Sequence, residues 1–112
     1  MDERFYFIDH TADLGVVVKG KTLAELFENS AYALFSLMAE QQNIELKKRW
    51  QISVQGEQRE FLLVNFLNEI LYLAEEENVL FNFCQIKTLS EKRVKAELGG
   101  EDFDPQKHER SN

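Results

Sequence analysis

The sequence predicts an α+β fold of two layers, in which two helices pack on a mixed or antiparallel β-sheet. Two segments repeat apolar residues at helical spacing, and five shorter segments have the alternation or the β-branched and aromatic composition of strands. Their order along the chain is β-β-α-β-α-β-β. Because the 112 residues contain no repeat or linker, we expect a single domain over residues 1–112.

The first two strands and the first helix follow one another closely. "RFYFIDH" and "LGVVVKG" are rich in aromatic and β-branched residues, which predicts two short strands. Thr22, with Glu25 three positions later, predicts a capping box that begins a helix. The apolar stripe of this helix comprises Leu23, Leu26, Phe27, Ala31, Leu34, Phe35 and Met38. Such a stripe requires a sheet beneath it.

The remaining elements alternate in the same way. "RWQISVQG" places apolar residues at every second position, which predicts a strand that ends at Gly56. "EFLLVNFLNEILYLAEEEN" predicts the second helix, and "VLFNFCQIKTL" with "RVKAEL" predicts a hairpin. The predicted core face of that helix comprises Leu63, Phe66, Leu67, Ile70 and Ala74. The last segment, "GGEDFDPQKHERSN", predicts no regular structure.

Composition and charge exclude several classes of function. Twenty acidic residues against 13 lysines and arginines give a formal charge of -7, which repels a phosphate backbone and argues against direct nucleic-acid binding. No apolar run is long enough for a membrane span, and the N-terminus does not resemble a signal peptide. Cys84 is the single cysteine and lies in an apolar segment typical of a buried strand. We expect a soluble, cytoplasmic protein without membrane contact.

The stretch "DHTADLGVVVKGKT" contains a pattern that matches a phosphate-binding P-loop, G-V-V-V-K-G-K-T from Gly15. A P-loop needs tight, irregular backbone to form an anion nest, whereas the three valines at 16–18 prefer extended structure. No apolar run ending in Asp follows that could hold Mg²⁺. We therefore predict that residues 15–19 are extended, that Lys21 is solvated and that Thr22 caps the helix.

The same stretch begins with two carboxylates and an imidazole within five residues, Asp9, His10 and Asp13. These residue types suit a metal site, but they also suit a turn, because their side chains bond to nearby backbone N–H groups. His10 is not expected to act as a general base, because the sequence marks no nucleophile for it to activate. Composition alone leaves the metal site and the turn open.

Three segments together resemble the archease family. They are "FIDHTADLGVVVKGKTLAELFENSAYALFSLMAE", "FLLVNFLNEILYLAEEENVLF" and "GGEDFDPQKHE", and they run in the family's order from about Phe5 to Glu109. The resemblance implies an α+β fold and a partner function. Archeases assist the RtcB-type RNA ligase of tRNA splicing by promoting its guanylylation and turnover, and are not ligases or other enzymes themselves.

The resemblance also implies functional residues. The Asp of the HTAD motif, Asp13 in this chain, is the family's metal ligand, usually described with Ca²⁺. Asp9 and His10 are expected to support that loop. Lys107 and His108 match a D-P-x-K-H pattern, so they are expected either to contact the ligase or its nucleotide, or to be a solvated lysine and a turn histidine.

The resemblance fails at the end of the chain, where an archease is expected to continue through further strands that complete the metal site. We therefore expect weak Ca²⁺ binding and homo-oligomers formed through an exposed sheet edge. Two other functions remain open. One is a small metal- or nucleotide-dependent enzyme that uses Asp13 or the stretch from Gly15 to Thr22, and the other is a truncated remnant without function.

Overall fold

The computed structural model describes residues 4–9 and 14–109. The elements in this part of the chain are β1 (Phe5–Asp9), β2 (Leu14–Val18), α1 (Leu23–Met38), β3 (Lys48–Gln55), α2 (Arg59–Glu77), β4 (Val79–Leu89) and β5 (Arg93–Asp102). The predicted order and the α+β class are confirmed. The strands form two antiparallel sheets, β1 with β2 and a three-stranded sheet in the spatial order β3-β5-β4.

Helix α1 begins as its capping residues predict. The Thr22 hydroxyl accepts a hydrogen bond from the Glu25 N–H at 3.1 Å, which satisfies a donor that the first turn leaves unpaired. The predicted stripe supplies the fully buried residues Phe27, Ala31 and Phe35. These three join the main core, which lies between the helices and the three-stranded sheet.

Helix α2 has no side-chain N-cap and ends at Asn78, whose left-handed φ of 53° closes the last turn. Its buried residues are Leu62, Phe66, Ile70 and Ala74. Leu63 and Leu67, which were predicted on this face, are partly buried and pack against the core, but the fully buried Leu62 was not predicted. The error arises because α2 is apolar on more than one side, so that spacing alone does not fix which residues face the core. Neither α1 nor α2 is long and apolar enough to cross a membrane.

The predicted hairpin of β4 and β5 is confirmed, but β5 is longer than predicted. Residues 99–102, which were expected to be irregular, continue the strand and pair with β4. A Cβ atom at Gly99 would meet the Leu46 side chain, and one at Gly100 would meet the Leu80 backbone. The two glycines therefore permit a close approach of neighbouring segments rather than ending the strand.

Candidate functional site

The extended end of β5 carries a buried carboxylate, Glu101, which is 5% exposed. Its Cα partner in the ladder is Leu80 of β4. A carboxylate is rarely buried unless hydrogen-bonding groups surround it. The segments 45–47 and 104–109 provide those groups.

Three donors converge on Glu101. Its Oε2 accepts from the Glu45 backbone N–H at 2.6 Å and from Lys107 Nζ at 2.9 Å, and it lies 3.0 Å from His108 Nε2. Lys107 Nζ is also 3.2 Å from Oε1. We call Glu45, Glu101, Lys107 and His108 the Glu101 cluster.

Burial raises the pKa of the Glu101 carboxyl, but the hydrogen bonds from the Glu45 N–H, Lys107 and His108 outweigh it and lower that pKa to about 2. Hydrogen bonds to Glu101 and Glu45 in turn raise the pKa of Lys107. Both groups are therefore charged at neutral pH, and the cluster is held by charge-assisted hydrogen bonds.

The segment after β5 fixes the orientation of the His108 ring. His108 Nδ1 accepts from the Asp104 N–H at 2.9 Å, while the His108 N–H donates to the Asp104 carbonyl at 2.7 Å. Because Nδ1 is an acceptor, the ring proton is on Nε2 and points to Glu101. The side chain of His108 is 1% exposed, so this histidine is a buried member of the cluster that also closes the turn with Asp104.

Lys107 differs from His108 because its side chain is 34% exposed. Its Nζ lies 3.0 Å from Oε2 of Glu45, a carboxylate with an exposed fraction of 60%. An open cavity of about 380 Å³ adjoins Lys107 and His108 and is lined further by residues of the segments 40–43 and 105–109. Lys107 is therefore a partly accessible cation whose ammonium group is held by two carboxylates.

The structure brings together two of the five predicted site residues, Lys107 and His108. Asp13 and His10 lie outside the described residues, as does the side chain of Asp9 at the end of β1. No group of three histidine, cysteine or acidic side chains that could hold a metal ion occurs within residues 4–9 and 14–109. Glu101 itself is occupied by its three donors, so it is not a free ligand.

Two members of the cluster, Glu101 and Glu45, are absent from the sequence-based prediction. Glu101 follows two glycines in a segment expected to be irregular, and Glu45 contributes a backbone N–H, which no residue type reveals. Had the prediction extended β5 to Asp102, it would have placed Glu101 within the sheet. A carboxylate predicted to be buried would then have indicated hydrogen-bonding partners nearby.

The segment from Gly15 to Thr22 has the backbone predicted for it. Val16 to Val18 are paired with β1 in an extended strand, Lys21 is exposed, and Thr22 caps α1. The Lys21 N–H donates to Oε1 of Glu25 at 3.1 Å. The extended backbone forms no anion nest, so the P-loop pattern reflects a strand followed by a capped helix.

Cys84 is confirmed as a core residue of β4, with 3% exposure. Burial raises the pKa of its thiol to about 12, and the nearby Glu28 carboxylate adds to the rise. A thiol with this pKa remains protonated at neutral pH and is a poor nucleophile or metal ligand.

Comparison with known proteins agrees with this architecture. The archease protein family matches residues 5–112. Protein archease of Sulfolobus acidocaldarius is 36% identical over 108 residues, which cover 96% of this chain and 78% of the relative. Protein archease of Pyrococcus furiosus is 40% identical over 104 residues, covering 90% of this chain and 73% of the relative.

A solved structure is similar over the same span. The solution structure of protein 1598 of Methanobacterium thermoautotrophicum has a TM-score of 0.77 and 29% identity, and the match covers 97% of this chain and 79% of that one. The sequence matches, the element order and the shared architecture lead to one conclusion: the chain belongs to the archease family.

Proposed function

We propose that this chain is a non-catalytic accessory protein that activates an RtcB-type RNA ligase of tRNA splicing by promoting its guanylylation and turnover. The observation that carries the proposal is membership of the archease family across residues 5–112. The ligase performs the joining chemistry, and this protein acts by contacting it.

The geometry of the Glu101 cluster supports a contact role for Lys107. Its ammonium group bonds to the buried carboxylate of Glu101, whereas its pair with the exposed Glu45 costs little to open, because exposed ion pairs contribute little stability. Lys107 can therefore exchange Glu45 for an anionic group of the partner, such as a carboxylate or a phosphate of its nucleotide. The open cavity beside it leaves room for such a group.

The charge of the protein supports docking to a basic enzyme. The formal charge is -7, and Glu75, Glu76 and Glu77 are all exposed at the end of α2. A ligase that binds RNA presents a positive surface, to which an acidic partner is steered electrostatically. The same charge disfavours direct RNA binding by this chain.

We also propose that the protein binds a divalent cation, which the family resemblance indicates is Ca²⁺. Asp13 is the proposed ligand, and Asp9 and His10 are the proposed supporting residues. The described residues contain no cluster of three or more candidate ligands, and no step of the activation is assigned to the ion. We expect weak Ca²⁺ binding that disappears in Asp13→Ala. Titration calorimetry of both proteins measures it, and equal binding by the variant would remove Asp13 from the site.

The activation itself is tested by reconstitution with purified protein, an RtcB-type ligase, GTP and a divalent metal. Guanylylation of the ligase is followed under multiple turnover, with and without this protein. We expect a faster rate with the protein present and no GTP hydrolysis by the protein alone. An unchanged rate would contradict the accessory role, and hydrolysis by the isolated protein would favour a small nucleotide-dependent enzyme.

A further inference from the structure

The two edge strands of the three-stranded sheet, β3 and β4, differ in whether their outward backbone N–H and C=O groups have hydrogen-bond partners. On β4, the N–H and C=O of Cys84 both bond to the Tyr32 hydroxyl at 3.2 Å, and the Ile86 N–H donates to Glu28 Oε2 at 2.7 Å. The β4–β5 ladder also has register shifts near Asn82 and Lys87. Helix α1 and these irregularities therefore protect the β4 edge against a further strand.

The β3 edge lacks this protection. The Gly56 N–H donates to the Lys92 carbonyl at 2.9 Å, so the backbone groups of Gly56 face β5. Successive residues of an antiparallel strand alternate in this direction. The residues whose backbone groups face away from β5 are therefore Arg49, Gln51, Ser53 and Gln55. The register runs without a shift over all eight residues. In the described part of the chain, the Asn65 side chain alone reaches this edge, at the Gln55 carbonyl.

An apolar helix face flanks the open edge. Phe61, Val64 and Tyr72 of α2 are 58%, 53% and 61% exposed. A cavity of about 420 Å³ lies between α2 and β3, and a second of about 860 Å³ lies at the end of β3, where residues 90–93 also line it; both cavities are lined by Gln55 and Asn65. The groove thus combines unpaired backbone donors and acceptors with large exposed apolar side chains.

We infer that the occupant of this groove is a second copy of the chain, paired antiparallel through β3 about a two-fold axis at Ile52. In this register all four outward residues pair, Arg49 with Gln55 of the second copy and Gln51 with Ser53 of the second copy, and no like charges face each other. On the helix side, Trp50 lies opposite Val54 of the second copy, and the two Ile52 side chains meet.

The two-fold axis also places the two α2 helices side by side in antiparallel orientation. The Phe61 end of one helix then faces the Tyr72 end of the other, so the exposed apolar side chains cover each other. The interface is isologous, which is the common arrangement of homodimers. Because each copy carries a formal charge of -7, long-range repulsion opposes pairing, and added salt is expected to strengthen it.

Ser53→Pro tests the proposal most sharply. Proline removes an outward N–H that the fold does not use, and such a position on an edge strand tolerates it. Ser53→Thr is the matched control, since it changes the side chain and keeps the N–H. We expect sedimentation velocity at several concentrations to show a dimer for the wild type and for Ser53→Thr, and at least about tenfold weaker association for Ser53→Pro, which loses main-chain bonds.

A second pair of variants keeps the test valid if Ser53→Pro fails to fold. Tyr72→Glu places a charge in the helix contact and is expected to weaken the dimer. Leu37→Glu alters another exposed apolar residue, which lies on α1 outside the groove, and is expected to leave the dimer unchanged. A wild-type chain that is monomeric at every concentration, or a dimer that persists in both Ser53→Pro and Tyr72→Glu, would overturn the proposal.

Discussion

Two lysines of this chain lie in motifs that suggest a function, yet their surroundings differ. Around Lys21, the backbone N–H bonds to Glu25 four residues away, and the neighbouring Thr22 caps the same helix end. Around Lys107, the ammonium group contacts Glu45, which is 62 residues distant, and the buried Glu101. The first lysine belongs to a helix start, whereas the second belongs to a cluster assembled by the tertiary fold.

The two regions differ in burial and in the free-energy cost of a substitution. A helix cap stabilises one turn at the surface and can be replaced at small cost. A buried carboxylate that loses its charge weakens the hydrogen bonds of all its donors at once, because bonds to a charged acceptor are roughly twice as strong as bonds to a neutral one. The cluster is therefore the region where single changes have large consequences, both for stability and for the presentation of Lys107.

The largest effect is expected from Glu101→Gln. The amide keeps the shape of the side chain but removes the charge that Lys107 and His108 bond to, and a hydrogen bond to a charged group contributes about 1.5 to 3 kcal/mol. Urea unfolding at pH 7 measures the loss. Asp102→Asn is the control, because the pair of Asp102 with Lys48 is exposed, and its unfolding midpoint is expected to stay close to that of the wild type.

The second prediction concerns pH. The Glu101 carboxyl has an ordinary pKa of 4.5 and a pKa of about 2 in the fold, so its contribution to stability is present above 4.5 and is lost as the pH falls toward 2. Urea unfolding between these values should show a steeper decline for the wild type than for Glu101→Gln. Parallel declines would mean that Glu101 does not carry the effect.

A smaller effect is expected at the start of α1. Thr22→Ala removes the hydroxyl that accepts the Glu25 N–H and should lower the free energy of unfolding by about 1 kcal/mol. Thr22→Asn retains a capping oxygen and serves as the control, with a change close to zero. If the two variants are equally destabilised, the cap is not the cause.

The smallest effect is expected from Lys21→Ala. Its side chain is exposed, and the bond to Glu25 uses the backbone N–H, which alanine keeps. Stability and any stimulation of the ligase should remain at the wild-type level. Calorimetry with GTP provides a separate check, and a marked loss of nucleotide binding in this variant would restore the P-loop interpretation.

These contrasts also explain what the sequence could predict. The elements, the Thr22 cap and the extended valines 16–18 depend on neighbours in the chain, and these predictions are confirmed. The length of β5 was predicted wrongly because Gly99 and Gly100 break strands by local preference, while here they fit a close approach between segments. The local sequence does not reveal that Leu46 and Leu80 approach these glycines closely.

The candidate site was only partly predictable for the same reason. Lys107 and His108 were identified through the D-P-x-K-H pattern of the family, but their common partner Glu101 was not. Its role depends on burial at the end of β5 and on a backbone N–H of Glu45, neither of which a motif encodes. The predictions at Asp13 and His10 fall outside the described residues and remain predictions.

The central claim is that the anchored Lys107 contacts the ligase, and Lys107→Met tests it most directly. The measurement is the rate of ligase guanylylation under multiple turnover with wild-type protein, Lys107→Met or Lys48→Met, each checked for folding by circular dichroism. Lys48 is the matched control, since it is an ion-paired lysine outside the Glu101 cluster. We predict that Lys107→Met loses most of the stimulation while Lys48→Met retains it. A folded Lys107→Met protein that stimulates the ligase as well as the wild type would contradict the claim.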